Sequence, residues 1–185
     1  KDLEASKADL TDIIEKLEAE MKTAFIDSFN QINENFNRVF SELFGGGSAE
    51  LSLTDPEDVL TSGIEIKAAP PGKIIKNLMQ LSGGEQAFIG VALFFATLKV
   101  NPTPFCILDE IEAALDEVNV ARFAEYIKRY SGDTQFVMIT HRRGTMEIGD
   151  RLYGITMPQR GISQAIELNV NEIEGKQEEL LDGIL

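Results

Sequence analysis

Two acids in succession, Asp109 and Glu110, follow the apolar run Phe105-Cys106-Ile107-Leu108. A carboxylate at the end of a buried strand can hold a hydrated Mg²⁺, and a second group beside it can position or deprotonate a water for attack on a phosphoryl group. Asp109 suits the first role and Glu110 the second. An apolar run ending in Asp-Glu is also an ordinary strand-to-loop boundary. Upstream, Leu81-Ser82-Gly83-Gly84-Glu85 stands just before a helical stretch. Glycines admit a ligand close to the backbone, a helix N-terminus offers unpaired N–H groups and a positive dipole end, and Ser82 adds a hydroxyl; together these suit a phosphate. The same residues read as a capping box, Ser82 at the cap and Glu85 three positions on, and the two readings are compatible. His141 is the sole histidine, which excludes a histidine pair or histidine-rich metal cluster within this chain. Alone after a strand, such a residue reads as structural or solvated. Asp116 reads locally as the N-cap of the helix that follows it.

These residues need elements to hold them. The first 44 residues contain no Gly or Pro, and Leu3, Lys7, Leu10, Ile14, Leu17, Met21 and Ala24 follow the alternating four-and-three spacing of a coiled-coil seam. From Phe25 the stripe restarts as Phe25, Phe29, Ile32, Phe36, Val39 and Leu43, bulky enough to dock on a globular body. Gly45-Gly46-Gly47 stops the helix, which if continuous is about 65 Å long. Leu51-Ser-Leu and Gly63-Ile-Glu-Ile-Lys alternate as strands, separated by a turn at Asp55-Pro56, and predict a small antiparallel element. Leu81 to Lys99 reads as a helix, Phe105 to Leu108 as a buried strand, Glu117 to Tyr130 as an amphipathic helix and Gln135 to Thr140 as a second buried strand. Strand, helix, strand with apolar strands predicts a parallel sheet. Arg151 to Met157 and Ile162 to Val170 add strand-like runs.

The composition, 43% apolar and 26% charged over 185 residues, fits a soluble globular domain rather than disorder. No apolar run is long enough to cross a bilayer, and the start Lys-Asp-Leu-Glu is not a signal pattern. The lone Cys106 cannot form an internal disulfide, which favours a reducing interior and a cytoplasmic location. A net charge of -14 repels duplex DNA on average. Any nucleic-acid contact is therefore local; Lys73, Lys76, Arg142 and Arg143 are the basic residues to test, with a solvated face as the plainer explanation for each. Residues 1–44 carry 10 acids against 5 bases and residues 171–185 carry 5 against 1, so neither end offers a basic patch.

In order and spacing, Leu81-Ser-Gly-Gly-Glu85, Phe105-Cys-Ile-Leu-Asp-Glu110, Ala114-Leu115-Asp116 and Thr140-His141 resemble the signature, Walker B, D-loop and switch-histidine series of the ABC ATPase family. The finer text Asp109-Glu-Ile-Glu-Ala-Ala-Leu-Asp116 and Thr140-His-Arg-Arg-Gly-Thr-Met-Glu147 resembles the SMC branch, and within it the bacterial form. ABC transporters typically carry Gln where this chain has Glu85. The resemblance extends upstream through Phe44-Gly-Gly-Gly and Thr54-Asp-Pro to Pro70-Pro-Gly-Lys73. It departs at Gln86, where many bacterial SMC sequences have a basic residue. It implies an α/β fold: the C-terminal lobe of an ABC-type P-loop ATPase head with a mainly parallel sheet, with residues 1–44 as coiled-coil stump and neck helix, 45–170 as the lobe and 171–185 as an acidic tail.

No Gly-x-x-x-x-Gly-Lys-Ser/Thr occurs in the chain, so the loop that wraps the β-phosphate must come from elsewhere. In SMC proteins it lies in an N-terminal segment beyond two coiled-coil arms and a hinge, and the resemblance implies a piece cut within the returning arm, inactive alone. The cofactors implied are ATP and Mg²⁺, with Asp109 as metal carboxylate through water, Glu110 as base and His141 as switch residue at the γ-phosphate. Ser82, Gly83, Gly84 and Glu85 would act on the nucleotide of an opposing head, and Asp116 would lie at the head-head interface. Partners implied are the N-terminal lobe, a second head engaged in an ATP-dependent homodimer, a kleisin subunit and DNA, with no membrane, at the nucleoid. Competing readings are an SMC-like DNA-repair ATPase, a transporter nucleotide-binding subunit and a pure interaction module.

Overall fold

The computed structural model describes residues 2–73, 78–132 and 134–170; Lys76 and the acidic segment 171–185 lie outside them. The chain divides into two compact units, Lys1–Pro104 and Phe105–Leu185.

The first unit is built on α1 (Asp2–Phe44). Its stop is a Schellman-type ending: Gly45 takes a φ of 71°, and Gly46 N–H donates to Ser41 O at 2.8 Å. Gly47 (φ 83°) is required sterically as well, since a Cβ there would lie 2.3 Å from Ala69 O. The chain then forms β1 (Ser48–Leu53) and β2 (Ile64–Ala69), paired antiparallel from Ser48↔Ala69 to Leu53↔Ile64. Leu51 N–H donates to Asn33 Oδ1 at 2.7 Å, tying β1 to α1. A 3₁₀ turn at Leu78–Gln80 leads to α2 (Gly83–Val100).

The second half of α1 packs on α2. Phe36, Val39, Phe40 and Leu43 are fully buried, as are Phe88, Ala92, Phe95 and Ala96 of α2. Phe40 stacks on Phe44 with centroids 4.2 Å apart, and Phe44 meets Phe88 at 4.9 Å. Truncating one such ring to Ala typically costs about 3–5 kcal/mol. The docking expected of the phenylalanine-rich stripe is what holds this unit together. Its neighbour stripe behaves oppositely: Leu10, Ile14, Leu17 and Met21 are all more than half exposed.

The second unit contains β3 (Phe105–Asp109), α3 (Glu117–Tyr130), β4 (Gln135–Ile139), the short α4 (Arg143–Met146), β5 (Arg151–Gln159) and β6 (Ile162–Asn169). β3 and β4 are parallel, with Phe105↔Gln135 through Asp109↔Ile139, and β5 and β6 are antiparallel. The expectation of a mainly parallel sheet is therefore corrected: among the described residues there are three separate strand pairs, and only one is parallel. The reason lies in the connections. A helical crossover separates β3 from β4, whereas β5 and β6 are joined through Arg160-Gly161, with Gly161 at φ 84°, and tight turns join antiparallel neighbours.

Side chains alternate across β3 and β4. Leu108 is buried, while Phe105, Ile107, Val137 and Ile139 on the alternate positions are 59%, 60%, 45% and 52% exposed. A parallel pair ordinarily has both faces covered. Among the described residues, one face of this pair is bare and apolar.

Candidate functional site

The signature residues gather at the start of α2. Ser82 has extended backbone (φ -64°, ψ 157°) and caps the helix. Its hydroxyl accepts from Glu85 N–H at 3.3 Å and donates to Glu85 Oε2 at 3.0 Å, while Ser82 N–H donates to the same carboxylate oxygen at 3.0 Å. Glu85 Oε1 takes an ion pair from Lys73 Nζ at 2.6 Å. The Lys73 hydrogen bond, followed by that from the Ser82 backbone, holds the Glu85 carboxyl below the usual carboxylate range. Gln86, the departure from the bacterial pattern, serves the local backbone. Its Nε2 donates to Leu78 O at 3.1 Å and Leu81 O at 3.2 Å, closing the preceding 3₁₀ turn. Beyond its chain neighbours and its own helix backbone, no atom of the described residues lies within 4 Å of where a Gly83 Cβ would be.

The acids and the histidine gather in the second unit, at the C-terminal ends of β3 and β4. Glu110 N–H donates to Ile139 O at 2.9 Å, carrying the parallel ladder one residue past β3. Glu110 itself adopts φ 47°, in the left-handed region that side chains other than glycine rarely take; residues so held concentrate at functional sites. Glu110 Oε1 and His141 Nδ1 lie 3.4 Å apart, with side chains 55% and 64% exposed. Asp109 precedes them, also exposed. Asp116 caps α3 by accepting from Asn119 N–H at 2.8 Å, so its local reading as a cap is correct.

Three residues close the gap between these two loops. Glu112 is 1% exposed and accepts from the Thr140 hydroxyl. Thr140 Oγ1 in turn accepts from Arg142 N–H at 3.0 Å. Arg142 Nη2 reaches back to Ala113 O at 2.8 Å and Leu115 O at 3.3 Å. Glu112 escaped the reading of the sequence; a lone acid inside Ile111-Glu112-Ala113-Ala114-Leu115 was the available signal. Three of the four basic residues named for a test of DNA contact find partners within the chain: Lys73 with Glu85, Arg142 with two carbonyls, and Arg143 with Glu147 at 2.8 Å. Cys106 is half-buried, and burial pushes its thiol up, making it a poor nucleophile at neutral pH.

No group of three or more His, Cys, Asp or Glu poised for a metal occurs among the described residues. Asp109 with Glu110 beside it nevertheless fits Mg²⁺, which keeps several waters and needs only one or two carboxylates where substrate phosphates complete its shell.

The chain thus combines mixed α/β units with a capped glycine turn in the first and, in the second, two strand-end acids of which Glu110 approaches His141. The chain belongs to the family described as RecF/RecN/SMC N terminal domain, whose model matches residues 2–164. Chromosome partition protein Smc of Bacillus subtilis (strain 168) is 57% identical over 171 residues, covering 92% of this chain and 14% of that protein. The protein of the same name from Clostridium kluyveri (strain NBRC 12016) is 50% identical over 169 residues, again 14% of its length. The chain thus spans about a seventh of these relatives.

The solved structures similar to it are SMC head domains. The Smc head domain with an extended coiled coil bound to the C-terminal domain of ScpA, derived from Pyrococcus furiosus, is 40% identical with a TM-score of 0.82, over 96% of this chain and 44% of that one. A chain from work described as "Structural biochemistry of ATP-driven dimerization and DNA stimulated activation of SMC ATPases" is 38% identical with a TM-score of 0.75, over 86% of this chain and 96% of that one. The matched family is named for an N-terminal domain, not for the C-terminal lobe that the motif series implied. The matches support an SMC head and not a particular lobe of it.

Proposed function

We propose that this chain is the C-terminal lobe of the ATPase head of a chromosome-organising SMC protein, supplying half of an ATP site whose phosphate loop comes from an N-terminal lobe. The observation that carries the reading is the exposed Glu110–His141 pair beside Asp109, in a chain with no phosphate-binding glycine-lysine loop. Three further features support it. The bare apolar face of the β3–β4 pair and the uncovered α1 seam are surfaces such a lobe and a returning arm would cover. The chain covers 44% of a solved chain that holds an Smc head with an extended coiled coil and 96% of a separate SMC ATPase chain, which is consistent with its being part of a head.

In this reading Asp109 would hold Mg²⁺ through water, and the ion would supply positive charge to offset the negative charge developing on the phosphates. Glu110 takes the proton of the attacking water, and its strained backbone aims the carboxylate beyond the strand end. His141, within reach of Glu110, senses the γ-phosphate. Ser82, Gly83 and Gly84 meet the γ-phosphate of an opposing head, with Glu85 holding the Ser82 turn and Asp116 at the interface. Head engagement then depends on nucleotide because the cross-interface contacts form only when the γ-phosphate is present. The partners are the N-terminal lobe, a second identical head, a kleisin of the ScpA kind and DNA, in the cytoplasm at the nucleoid; the outcome is chromosome condensation and segregation.

The test is an ATPase assay of this chain alone, of the Walker A-bearing lobe alone, and of the two co-expressed. Only the co-expressed pair is expected to turn over ATP. Turnover by this chain alone, or none by a pair that co-purifies, overturns the reading.

A further inference from the structure

The ring formed by Glu112, Thr140 and Arg142 lies beside the proposed hydrolytic pair, yet none of its side chains has a role there. It consists of four hydrogen bonds on two branches that both start at Arg142 as donor and end on the 112–115 loop: Arg142 N–H to Thr140 Oγ1 and Thr140 O–H to Glu112 on one, and Arg142 Nη2–H to the carbonyls of Ala113 and Leu115 on the other. The loop it grips is itself wound tightly, with Ala113 N–H donating to Glu110 O and Leu115 N–H to Glu112 O, both at 3.0 Å. Glu110 stands at one end of that loop and Asp116 at the other. His141 stands between the two ring members of the other loop, Thr140 and Arg142.

A backbone ladder would end at the strands, and among the described residues the last backbone bond between β3 and β4 is Glu110 N–H to Ile139 O. Beyond it the separation of Glu110 from His141 depends on side chains. Glu112 is buried and its neighbour Leu115 is 2% exposed, so the loop is anchored from below and cannot drift without leaving a buried carboxylate without its donor. Leaving such a group unpaired carries the full desolvation cost. The Thr140 hydroxyl is the pivot, because it is at once donor to Glu112 and acceptor from the backbone N–H of Arg142.

We propose that Glu112, Thr140 and Arg142 are positioning residues that lock the 110–116 loop to the 140–142 loop, so that Glu110, His141 and Asp116 keep one relative geometry and move together. This rests on the reading of Glu110 and His141 as the hydrolytic pair. It also gives Arg142 a role within the chain, since its Nη2 is committed to Ala113 O and Leu115 O.

The experiment uses the full-length SMC protein containing this chain. Thr140→Val removes the pivot at nearly constant volume; kcat for ATP is expected to fall about tenfold or more, since small displacements of a catalytic group carry such penalties, with KM for ATP within about twofold. Thr140→Ser, which keeps the hydroxyl, restores kcat. Arg142→Gln lowers kcat similarly, and the double variant Thr140→Val/Arg142→Gln is no slower than the worse single variant, because both break one ring. Amide exchange at 110–116 is faster in Thr140→Val than in wild type. Should Thr140→Val not fold, Arg142→Lys takes its place, keeping the charge but not the two-carbonyl grip, with the same expected loss. Wild-type kcat in Thr140→Val with unchanged exchange, or losses in the two single variants that multiply, overturns the lock. Absence of ATP turnover in the wild type would instead overturn the hydrolytic reading, while the exchange measurement still decides the lock.

Discussion

The start of α2 and the loops after β3 and β4 both carry motif residues, but they are built in contrasting ways. At α2 the polar groups are satisfied by residues close in sequence: Ser82 and Glu85 cap each other, Gln86 closes the preceding turn, and the farthest partner, Lys73, is twelve positions away. At the β3 and β4 ends the partners are 27 to 31 positions apart, and Glu110 and His141 remain more than half exposed. A clamp made locally can form early and tolerate a change in its surroundings. A pair made by tertiary contact is only as good as the scaffold that holds its two loops.

The largest effect should come from the exposed pair. Glu110→Gln keeps size and hydrogen bonding but cannot accept a proton; general-base loss is typically about 10²–10⁴-fold. Single-turnover hydrolysis in the complete head should fall in that range while crosslinked, engaged heads accumulate. Normal turnover would remove Glu110 as the base and with it the contrast between the two regions. Ser82→Arg is next. Placing a long cation in the glycine turn should abolish ATP-dependent head engagement, read by chemical crosslinking, and spare binding of a fluorescent ATP analogue. Loss of nucleotide binding itself would contradict action on the opposing head.

The smallest effect tests the local clamp. Glu85 has a lowered folded-state pKa, so its contribution to stability is present in full above the ordinary value of 4.5 and is lost as pH falls through the lowered value. Lys73→Gln removes the first cause of that lowering. Because Lys73 is half exposed, the loss near pH 7 should be small, about 0.5 kcal/mol or less, and should shrink below pH 4. Denaturant titrations of the two proteins across pH 3–7 check this; a difference that grows on acidification would mean that the ion pair is not what holds the Glu85 carboxyl.

Much of this was legible beforehand because the signals are short-ranged. Absence of Gly and Pro through residue 44 predicted α1, whose observed end is Phe44; α3 was predicted with its observed bounds, Glu117 and Tyr130; and the capping box followed from Ser82 and Glu85 being three apart. Alternation in Leu51-Ser-Leu and Gly63-Ile-Glu-Ile-Lys was enough to expect an antiparallel pair, because a strand's faces repeat every two residues.

What the chain text could not carry was everything set by contacts between distant segments. Apolar periodicity marks a strand but not its neighbours, so the three separate pairs and the single parallel one were decided by connections and packing. The positive φ of Glu110 is imposed where a strand ends beside another, not by Glu itself. Glu112 reads as one acid among apolar residues until the fold brings Thr140 and Arg142 to it. By itself, then, the sequence determined which residues can cap, bind and exchange protons, since that is a property of residue type and local spacing. The tertiary structure alone decided which of them meet, because bringing together residues about thirty apart must outweigh a loop-closure entropy that no local pattern records.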